Sequence, residues 1–578
     1  MPSRNNIKRQ SLRNFKNNLT EKILKHPLLF SFIVVFVLFI VVLSVFVQTY
    51  RTNDDPGMAS IVAGTGKTAQ PDEHVRYSNV LVGFFLKGLY TISPYFPWYA
   101  SFHLLIQFIA MVFFLYAVIS HRFSFSRLIF FLLFFFGVEL CFISSLQFTI
   151  TSIMAGQCGI ILFLSALGNG TQRRSWILIC SGIFMLVLSC LIRRKGFYLV
   201  GLLSIPVLLI TFIEKIGKIS DKKSLIMKYS VFILCTILLT FSAIQFNRWY
   251  YDKDPEWNDF YRINTLKGQF IDYSRVSYNA DTKPIFDEVG WSYNDFIMLM
   301  AWFYADLDVF SPKKMEKVLS AFPPYITKRN LKLVFRNFLT ILGDSYIYLL
   351  LFLFFTININ FKNWHDLIKA GSTFLMVIFV AFYMILYLKL PDRVYFPMFS
   401  LFVTVSLFLS DRDMSFKPRF VNALRIVLFV IIVMTFPGSL SEQYKNGKFI
   451  ALKNKYLKQE LAAINPNKNQ LFYTWGAIFP HQYVLPFDNI EYLSNFKLIG
   501  LSSILHTPFT KRRMEEFGIT DLYTGLYEKD NVFLIANSEL LPHYIEYIRE
   551  HYGVYVQHTI LYTSHTFGFS VYKIERVS

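Results

Sequence analysis

The sequence predicts a mostly α-helical, polytopic membrane protein that carries a small extracytoplasmic α/β domain at its C-terminus. Hydrophobic residues make up 54 % of the 578 residues, and charged residues make up only 17 %. A soluble domain would carry about 25 % charged residues. Several apolar runs also exceed the roughly 18 residues that a membrane-spanning helix needs. These observations exclude a disordered chain and a single soluble domain.

Residues 1–27 form a basic segment that we expect in the cytoplasm. Its seven Lys and Arg residues are opposed by the single acid Glu21. The apolar run that follows, at 26–50, is too long for the core of a signal peptide, which spans about 7–15 residues. It also lacks a small-residue cleavage site at its end. We therefore interpret it as the first span, with the N-terminus inside.

Further apolar runs bring the number of predicted spans within residues 28–440 to about eleven. We place them near 28–50, 100–120, 128–146, 149–168, 176–192, 197–213, 229–247, 340–358, 372–390, 394–410 and 423–440. Every loop that alternation assigns to the cytoplasm is basic, in agreement with the positive-inside rule. An odd number of spans places the C-terminus outside. Two long outside segments interrupt the spans, at 51–99 and 248–336, and residues 80–90 of the first predict a helix at the membrane interface.

Residues 441–578 predict an extracytoplasmic α/β domain. Strand-like runs stand at 471–475, 531–535, 553–556 and 567–574, and 537–552 has the pattern of a helix with Asn537 or Ser538 as its N-cap. A segment of this length can bury a hydrophobic core of its own.

Charge placement argues against a nucleic-acid-binding protein, and cysteine placement argues against a disulfide-rich or cysteine-ligated metal protein. The net charge of +20 comes mainly from the N-terminus and the short inside loops, so it indicates membrane orientation and not a nucleic-acid surface. The five cysteines all lie in apolar runs and show no metal-binding spacing. No disulfide framework is implied.

An acidic pair, Asp54 and Asp55, follows the first span directly, in the sequence Asn53-Asp54-Asp55-Pro56. Adjacent carboxylates raise each other's pKa, and such a pair suits a general base or a divalent cation such as Mg²⁺ or Mn²⁺. Asn, Asp and Pro are also turn formers, so a plain solvated turn is the alternative. His74, in the same outside segment, could assist by binding substrate.

Three stretches together resemble the GT-C superfamily of membrane glycosyltransferases. They are Asn53-Asp54-Asp55 in the first outside segment, Gln147-Phe148-Thr149 after the third span, and Arg193-Arg194-Lys195-Gly196 between two later spans. The resemblance covers the topology of residues 1–440. It implies transfer of a sugar from a polyprenyl-phosphate donor. Many members carry Asp-Glu where this chain has Asp-Asp, so which carboxylate would be the base stays open.

Four cations on the predicted outer side break the positive-inside rule. Arg193, Arg194 and Lys195 stand in a tight hairpin, and Arg393 stands in a second tight turn beside Asp392. Arginine can hold a phosphate in two-point geometry, and lysine adds a point charge. We interpret the four as binding the phosphate of a lipid donor. Contact with anionic lipid headgroups is the alternative, as is an Asp392–Arg393 ion pair.

Other residues predict contacts to substrate. Glu139 lies within a span, where an ionisable group is a functional candidate, although a structural bond between helices would serve equally well. The second outside segment is rich in aromatic and acidic residues, which suit a sugar but also suit a membrane-interface belt. We expect Asp295, Trp302 and Asp306 on one helical face, with Trp291 nearby, to contact the acceptor.

Together these features predict a multi-pass cell-membrane glycosyltransferase. It would move a sugar from a polyprenyl-phosphate donor to an extracytoplasmic cell-surface glycan or teichoic acid, with a divalent cation as an optional cofactor and no nucleic-acid partner. A transporter or flippase for a lipid-linked glycan is the first alternative. A polysaccharide polymerase or ligase that uses a diphosphate-linked donor is the second.

Overall fold

The protein is mostly helical, as predicted, in a computed structural model that describes residues 20–120, 123–168, 171–218, 220–323, 331–358, 364–410, 419–476, 479–488, 493, 495–502 and 504–577. Nine helices in the described ranges are long and apolar enough to span a membrane. They are α1 (Pro27–Val45), α4 (Trp98–Ile119), α5 (Phe125–Ser144), α6 (Phe148–Ala166), α7 (Gln172–Ile192), α8 (Arg194–Ile216), α9 (Lys222–Asp252), α16 (Trp364–Tyr387) and α17 (Asp392–Leu409).

Two of the predicted spans have a different form in the structure. The span expected at 340–358 is a pair of helices, α14 (Leu331–Leu342) and α15 (Ser345–Asn358), bent by 74° at their junction. The span expected at 423–440 lies within α18 (Arg419–Ile464), a helix of 46 residues. Most side chains of 423–440 lie outside the described residues. Helix α18 continues past residue 440, and its Leu457 and Leu461 are buried against residues of the C-terminal sheet.

The first outside segment contains two helices. Helix α2 (Asp54–Ala63) begins at the acidic pair, and α3 (Val80–Ile92) is the short apolar helix expected at the interface. Asn79 caps α3, since its side chain accepts a hydrogen bond from the Leu81 N–H.

A five-stranded mixed sheet forms the centre of the part of the described chain that packs apart from the candidate spans. We call this part the soluble body. Its strands are β3 (Leu471–Trp475), β4 (Lys497–Leu501), β5 (Val532–Ala536), β6 (Val556–Thr563) and β7 (Ser570–Arg576), in the order β4-β3-β5-β7-β6. Strands β4, β3 and β5 are parallel, and β7 and β6 complete the sheet antiparallel. The helices of this part are α19 (Pro508–Glu516), α20 (Gly525–Glu528) and α21 (Leu541–Tyr552).

The second outside segment belongs to the same soluble body. Its helices are α10 (Pro255–Ile271), α11 (Lys283–Asp287), α12 (Tyr293–Met300) and α13 (Pro312–Ser320). Phe303 of this segment stacks on Tyr523 at 4.4 Å, and the Trp475 indole of β3 donates to the Ala301 carbonyl. The predicted division between 248–336 and 441–578 therefore cuts through one hydrophobic core.

A short parallel pairing fixes the start of α2 against the helical bundle. Strand β1 (Thr49–Tyr50) pairs with β2 (Ser145–Leu146), which follows α5 directly. This contact holds the chain that leaves the first span beside the N-terminus of α6. The acidic pair is thereby placed at the junction between the bundle and the soluble body.

Candidate active site

A cavity of about 920 Å³ lies between the ends of the spans and the soluble body. Its wall is formed by parts of several elements. They are α2 with the segment that follows it, the N-terminal parts of α6 and α8, the C-terminal end of α10, Trp302 after α12, the C-terminal part of α16 with the turn before α17, and the carboxyl ends of β3 and β4 with the residues that follow them. Because β3 and β4 are parallel, both strands end at the same edge of the sheet. Pockets of this size hold small-molecule and cofactor ligands.

The acidic pair divides between the cavity and the interior. Asp54 lines the cavity, and among the described residues it makes neither a hydrogen bond nor an ion pair. Asp55 is 1 % exposed, and both of its carboxylate oxygens accept hydrogen bonds. Oδ1 accepts from the Tyr99 hydroxyl at 2.9 Å and from the Phe148 N–H at 3.1 Å, and Oδ2 accepts from the Thr52 hydroxyl at 3.1 Å. The structure therefore leaves Asp54 as the carboxylate that can meet a substrate.

Burial sets the protonation of Asp55. Loss of hydration raises the pKa of its carboxyl to about 7, although the three donors favour the charged form. Phe148 belongs to the stretch Gln147-Phe148-Thr149, and Thr149 lines the cavity. Two of the stretches on which the family resemblance rests thus meet through the hydrogen bond between Phe148 and Asp55.

The predicted hairpin at Arg193 is a break of one residue between α7 and α8. Ser152 of α6 holds it, because its hydroxyl donates to the Arg193 carbonyl at 3.1 Å. Gly196 allows this approach, since a Cβ there would lie 2.5 Å from the Ser152 hydroxyl oxygen. Arg193 and Lys195 line the cavity. Arg194 is exposed and is not part of the cavity wall.

Arg393 is the third cation on this side of the cavity. It does not pair with Asp392, because the Asp392 carboxylate accepts two hydrogen bonds from Arg51, at 2.8 and 3.0 Å. The side chain of Arg393 has no ion pair with a described residue and lines the cavity. The structure thus rules out the simple Asp392–Arg393 ion pair. We call Arg193, Lys195 and Arg393 the membrane-side cations.

Four further cations line the cavity, and sequence reasoning missed them. One of them, Lys389, stands in the turn before α17 and donates to the Asp272 carbonyl, whereas the other three come from the segment after α2 and from α10. Lys67 follows α2, Arg76 precedes α3, and Lys267 lies in α10 of the soluble body. We call these three the domain-side cations. Lys67 and Arg76 are predicted to lie outside, so the positive-inside rule that singled out Arg193 could also have found them. Gly64 turns the chain toward Lys67 with a φ of 73°, which glycine adopts without strain.

Tyr77 contacts one cation of each group. The guanidinium of Arg76 lies 4.7 Å from the centre of its ring, and that of Arg193 lies 5.1 Å from the same point. The ring also stacks on Phe148 at 5.6 Å. Asp54 raises the pKa of Lys67 and that of Lys267 against the larger effect of burial, and it also opposes the lowering of the Arg193 pKa. Asp54 therefore lies within electrostatic reach of both groups.

Apolar side chains of two spans continue the cavity away from the charges. Leu199 and Leu202 come from α8, and Val380, Tyr383 and Met384 come from α16. Leu202 and Tyr383 are 43 % and 48 % exposed, so this wall is open. A ligand with a charged head and a hydrocarbon tail would find both environments in the one cavity.

Glu139 and His74 do not line the cavity. Glu139 is fully buried in a π-helical turn of α5 (Phe135–Glu139), and neither carboxylate oxygen has a hydrogen-bond partner among the described residues. His74 bonds to Asp72 at 2.6 Å and stacks on Trp257 at 4.7 Å. With further ring contacts to Tyr250 and Phe509, these contacts hold the imidazole in the packing between α9, α10 and α19.

The expected helical face around Trp302 is absent, because α12 ends at Met300. Trp291 is buried and its indole donates to the Val309 carbonyl. Asp295 closes a capping box with Ser292 and bonds to His551 at 2.7 Å. Asp306 accepts from the Tyr547 hydroxyl. Trp302 alone of these residues lines the cavity.

The acidic pair does not offer the donor set of a metal site. Both oxygens of Asp55 are engaged, and no third carboxylate or imidazole of the described chain lies within ligand distance of the pair. Two other groups in the described ranges bring three possible ligands within 4.8 Å of one another: Asp72 with Glu73 and His74, and Asp295 with Glu550 and His551. Their side chains already pair with neighbours, among them Arg512 and Lys87.

No family model matches the sequence, and no curated protein matches it either. Among solved structures, the chain is similar to the crystal structure of ArnT from Cupriavidus metallidurans in the apo state. The similarity covers 93 % of this chain and 97 % of that chain, with a TM-score of 0.42 and 10 % sequence identity. Similarity at this level fixes neither a family nor an activity. The function is inferred from the cavity.

Proposed function

We propose that this protein is a GT-C-type glycosyltransferase that moves a sugar from a polyprenyl-phosphate donor to a hydroxyl of an extracytoplasmic cell-surface glycan or teichoic acid. One observation carries the proposal. A carboxylate without an ion-pair partner, Asp54, shares a cavity with unpaired cations at the membrane boundary and with an apolar wall formed by two spans. A lipid-linked phosphosugar presents the complementary groups: a tail, a phosphate and a sugar.

The donor would lie with its phosphate on the membrane-side cations and its lipid along α8 and α16. Arg193 and Arg393 are each able to donate two parallel hydrogen bonds to phosphate oxygens. Both stand where a span begins, so a phosphate at the membrane surface reaches them without leaving its lipid environment. The apolar side chains Leu199, Leu202 and Met384 then face the first isoprene units.

In the transfer step, the Asp54 carboxylate accepts the proton of the acceptor hydroxyl while the hydroxyl oxygen attacks the anomeric carbon. The bond from the anomeric carbon to the phosphate oxygen breaks, and its electron pair leaves with the polyprenyl phosphate. Arg193 and Arg393 stabilise the charge that develops on that phosphate. Asp55 positions α2, because its bonds to Tyr99 and Phe148 tie the helix to α4 and α6.

A general base that acts on a hydroxyl works best when its surroundings are fixed and water is limited. The soluble body supplies that enclosure, with the ends of β3 and β4 and His481 closing the cavity opposite the spans. No step is assigned to a metal ion. The charges on the leaving phosphate are met by the side chains of this chain.

The test uses the full-length protein in vesicles with a defined polyprenyl-phosphate sugar. Release of polyprenyl phosphate that depends on an added glycan acceptor is the expected result, and Asp54→Asn should remove it. A transporter would instead move the intact donor across the vesicle membrane without releasing polyprenyl phosphate. Release that persists at the full rate in Asp54→Asn would overturn the assignment of the base.

A further inference from the structure

We propose that the domain-side cations form a second anion subsite, which holds a phosphate-type group of a substrate other than the donor's leaving phosphate. The inference rests on the proposed function and adds the chemical class of a second ligand. Lys67, Arg76 and Lys267 line the same cavity as the cations assigned to the donor, and Arg76 and Arg193 both lie against the ring of Tyr77.

Lys267 provides the central observation. The residue is 1 % exposed, yet its ammonium has no hydrogen bond and no ion pair with any described residue. It lies 4.0 Å from the centre of the Trp302 ring and lines the cavity. A buried charge without a partner costs free energy, so such a group is normally compensated. Here the open side of the ammonium faces the cavity, where an anionic ligand can supply the compensation.

Two cations accompany Lys267 in this part of the cavity, and the carboxylates of Asp272 and Asp54 lie within electrostatic reach of it. Arg76 donates to the Asn264 amide oxygen at 2.8 Å through Nη2, but its buried Nη1 has no hydrogen-bond partner among the described residues. The Lys67 ammonium likewise lacks a hydrogen bond or ion pair in the described chain. Burial, together with the charge of Arg76, lowers the pKa of Lys67 and that of Lys267 to about 8 in each case. Mutual repulsion of this kind is relieved when an anion binds.

Trp302 supports a fixed position for this subsite. It has a φ of 75°, in the left-handed region that a bulky side chain rarely adopts. The surrounding core holds it there, since the following residue, Phe303, stacks on Tyr523. The indole is thus held under the Lys267 ammonium. A sugar that carries the anion could stack on the open part of the same ring.

Two substrates could provide the anion. It could be a phosphate on the glycan acceptor, adjacent to the hydroxyl that reacts, or the second phosphate of a diphosphate-linked donor. In both cases Asp54 would lie between two anionic groups, within electrostatic reach of each set of cations. The chemistry recognised is the same, and kinetics with matched substrates separates the two sources.

The first experiment measures binding of inorganic phosphate to the detergent-solubilised full chain by calorimetry. It is performed on the Arg193→Gln/Arg393→Gln variant, in which the donor side is weakened. Adding Lys267→Met, which keeps the aliphatic stem, should weaken the remaining phosphate binding about 10- to 100-fold. Lys283→Met is the matched control, because Lys283 is an exposed lysine paired with Asp287. Unchanged phosphate binding in Lys267→Met would overturn the proposal.

The second experiment identifies the source and uses Lys267→Met alone. An increase of the KM for a phosphorylated acceptor, with an unchanged KM for its dephosphorylated form, assigns the subsite to the acceptor. An increase of the KM for a diphosphate donor only assigns it to the donor. An unchanged KM for every substrate would overturn a role in substrate binding. Phosphate binding needs no turnover, so failure of the subsite is distinguishable from failure of the transfer activity.

Should Lys267→Met fail to fold, Arg76→Gln gives an independent reading of the same subsite. Arg76 is partly exposed, and its contact to Asn264 can be kept by an amide side chain. The variant should weaken phosphate binding in the same background and leave the midpoint of thermal unfolding within a few degrees of the parent. Full phosphate affinity in this variant would contradict the subsite as strongly as the lysine result.

Discussion

The membrane-side and domain-side cations line the same cavity but arise from different levels of structure. Arg193, Lys195 and Arg393 each stand within three residues of the end of a span, so the ends of the helices alone place them. Lys67, Arg76 and Lys267 come together only because α10 packs against the first outside segment. The Arg76–Asn264 bond joins residues 188 positions apart. One side of the cavity is thus set by the membrane, and the other by tertiary packing.

This difference predicts how each side responds to change. The positions of the membrane-side cations depend on the ends of helices in the bundle. The positions of the domain-side cations depend on how the soluble body packs against the bundle. A substrate that bridges both sides would hold the body closed over the bundle, and Asp54 lies where the two meet. The predictions that follow test the centre of the cavity first, then the membrane side, and then the domain side.

The largest effect is expected at Asp54. Asp54→Asn should lower the transfer rate by about 10²- to 10⁴-fold, as loss of a general base typically does. Asp55→Asn is the matched control, because an amide oxygen can still accept from Tyr99 and Phe148 and its NH₂ can donate to Thr52. We expect it to retain at least about a tenth of the activity, since the bonds it keeps are positional. The measurement is release of polyprenyl phosphate in vesicles.

Equal losses in the two variants would contradict the division of labour between the carboxylates. Transfer above about a tenth of the wild-type rate in Asp54→Asn would remove Asp54 from the mechanism. Both variants should elute as folded protein in size-exclusion chromatography. A loss of transfer activity can then be attributed to the side chain and not to misfolding.

The membrane side is expected to show the next largest effect. Arg193→Gln and Arg393→Gln should each raise the donor KM, because loss of a charged hydrogen bond to phosphate costs about 1.5–3 kcal/mol. Arg194→Gln should change it little, since Arg194 is exposed and lies outside the cavity wall. Steady-state kinetics with donor varied at fixed acceptor makes the comparison. A donor KM that rises as much in Arg194→Gln would place the lipid phosphate elsewhere.

Much of the fold could be predicted from the sequence because a span needs only a long apolar run. The strand at β3 and the helix that became α21 were also evident from local pattern. Strand β4, Lys497–Leu501, was missed, because a lysine begins it and a glycine is its fourth residue, which leaves only a weak strand pattern. The shared core of the two outside segments was missed as well. Contacts such as Phe303 on Tyr523 join distant parts of the chain and leave no periodic signal.

The residues of the candidate site also fall into two groups, those that the sequence could indicate and those that only the packing reveals. The acidic pair and Arg193 could be recognised from their positions next to spans, where charge is unexpected. Sequence could not show that Asp55 is buried, because its burial depends on Tyr99 and Phe148. Nor could it separate Trp302 from Trp291 and Asp295, since all three stand in one aromatic, acidic stretch. Only packing decides that Trp291 faces the core and Trp302 the cavity.

The domain side is expected to show the smallest effect, a dependence of anion binding on pH. Burial lowers the pKa of Lys67 and of Lys267 to about 8, so each ammonium loses its proton as the pH rises through this value. An anion binds the charged form. Affinity should therefore be constant below about pH 7 and fall severalfold between about pH 8 and 9. The groups facing these lysines are Arg76, Asp54, Asp272 and His481, and burial keeps the His481 pKa well below its usual value.

Inorganic sulfate is the suitable probe, because its charge is constant over this range and any change in affinity comes from the protein. Titrations of the Arg193→Gln/Arg393→Gln variant with Lys195→Gln added report on the domain side, because this triple variant lacks all three membrane-side cations. In Lys67→Met/Lys267→Met both domain-side lysines are removed while the membrane-side arginines remain. Since arginine stays protonated, the sulfate binding that they provide should change little between pH 7 and 9. Sulfate affinity in the triple variant that is equally independent of pH would mean that neither lysine contacts the anion. The domain side would then be a structural feature of the interface and not a subsite.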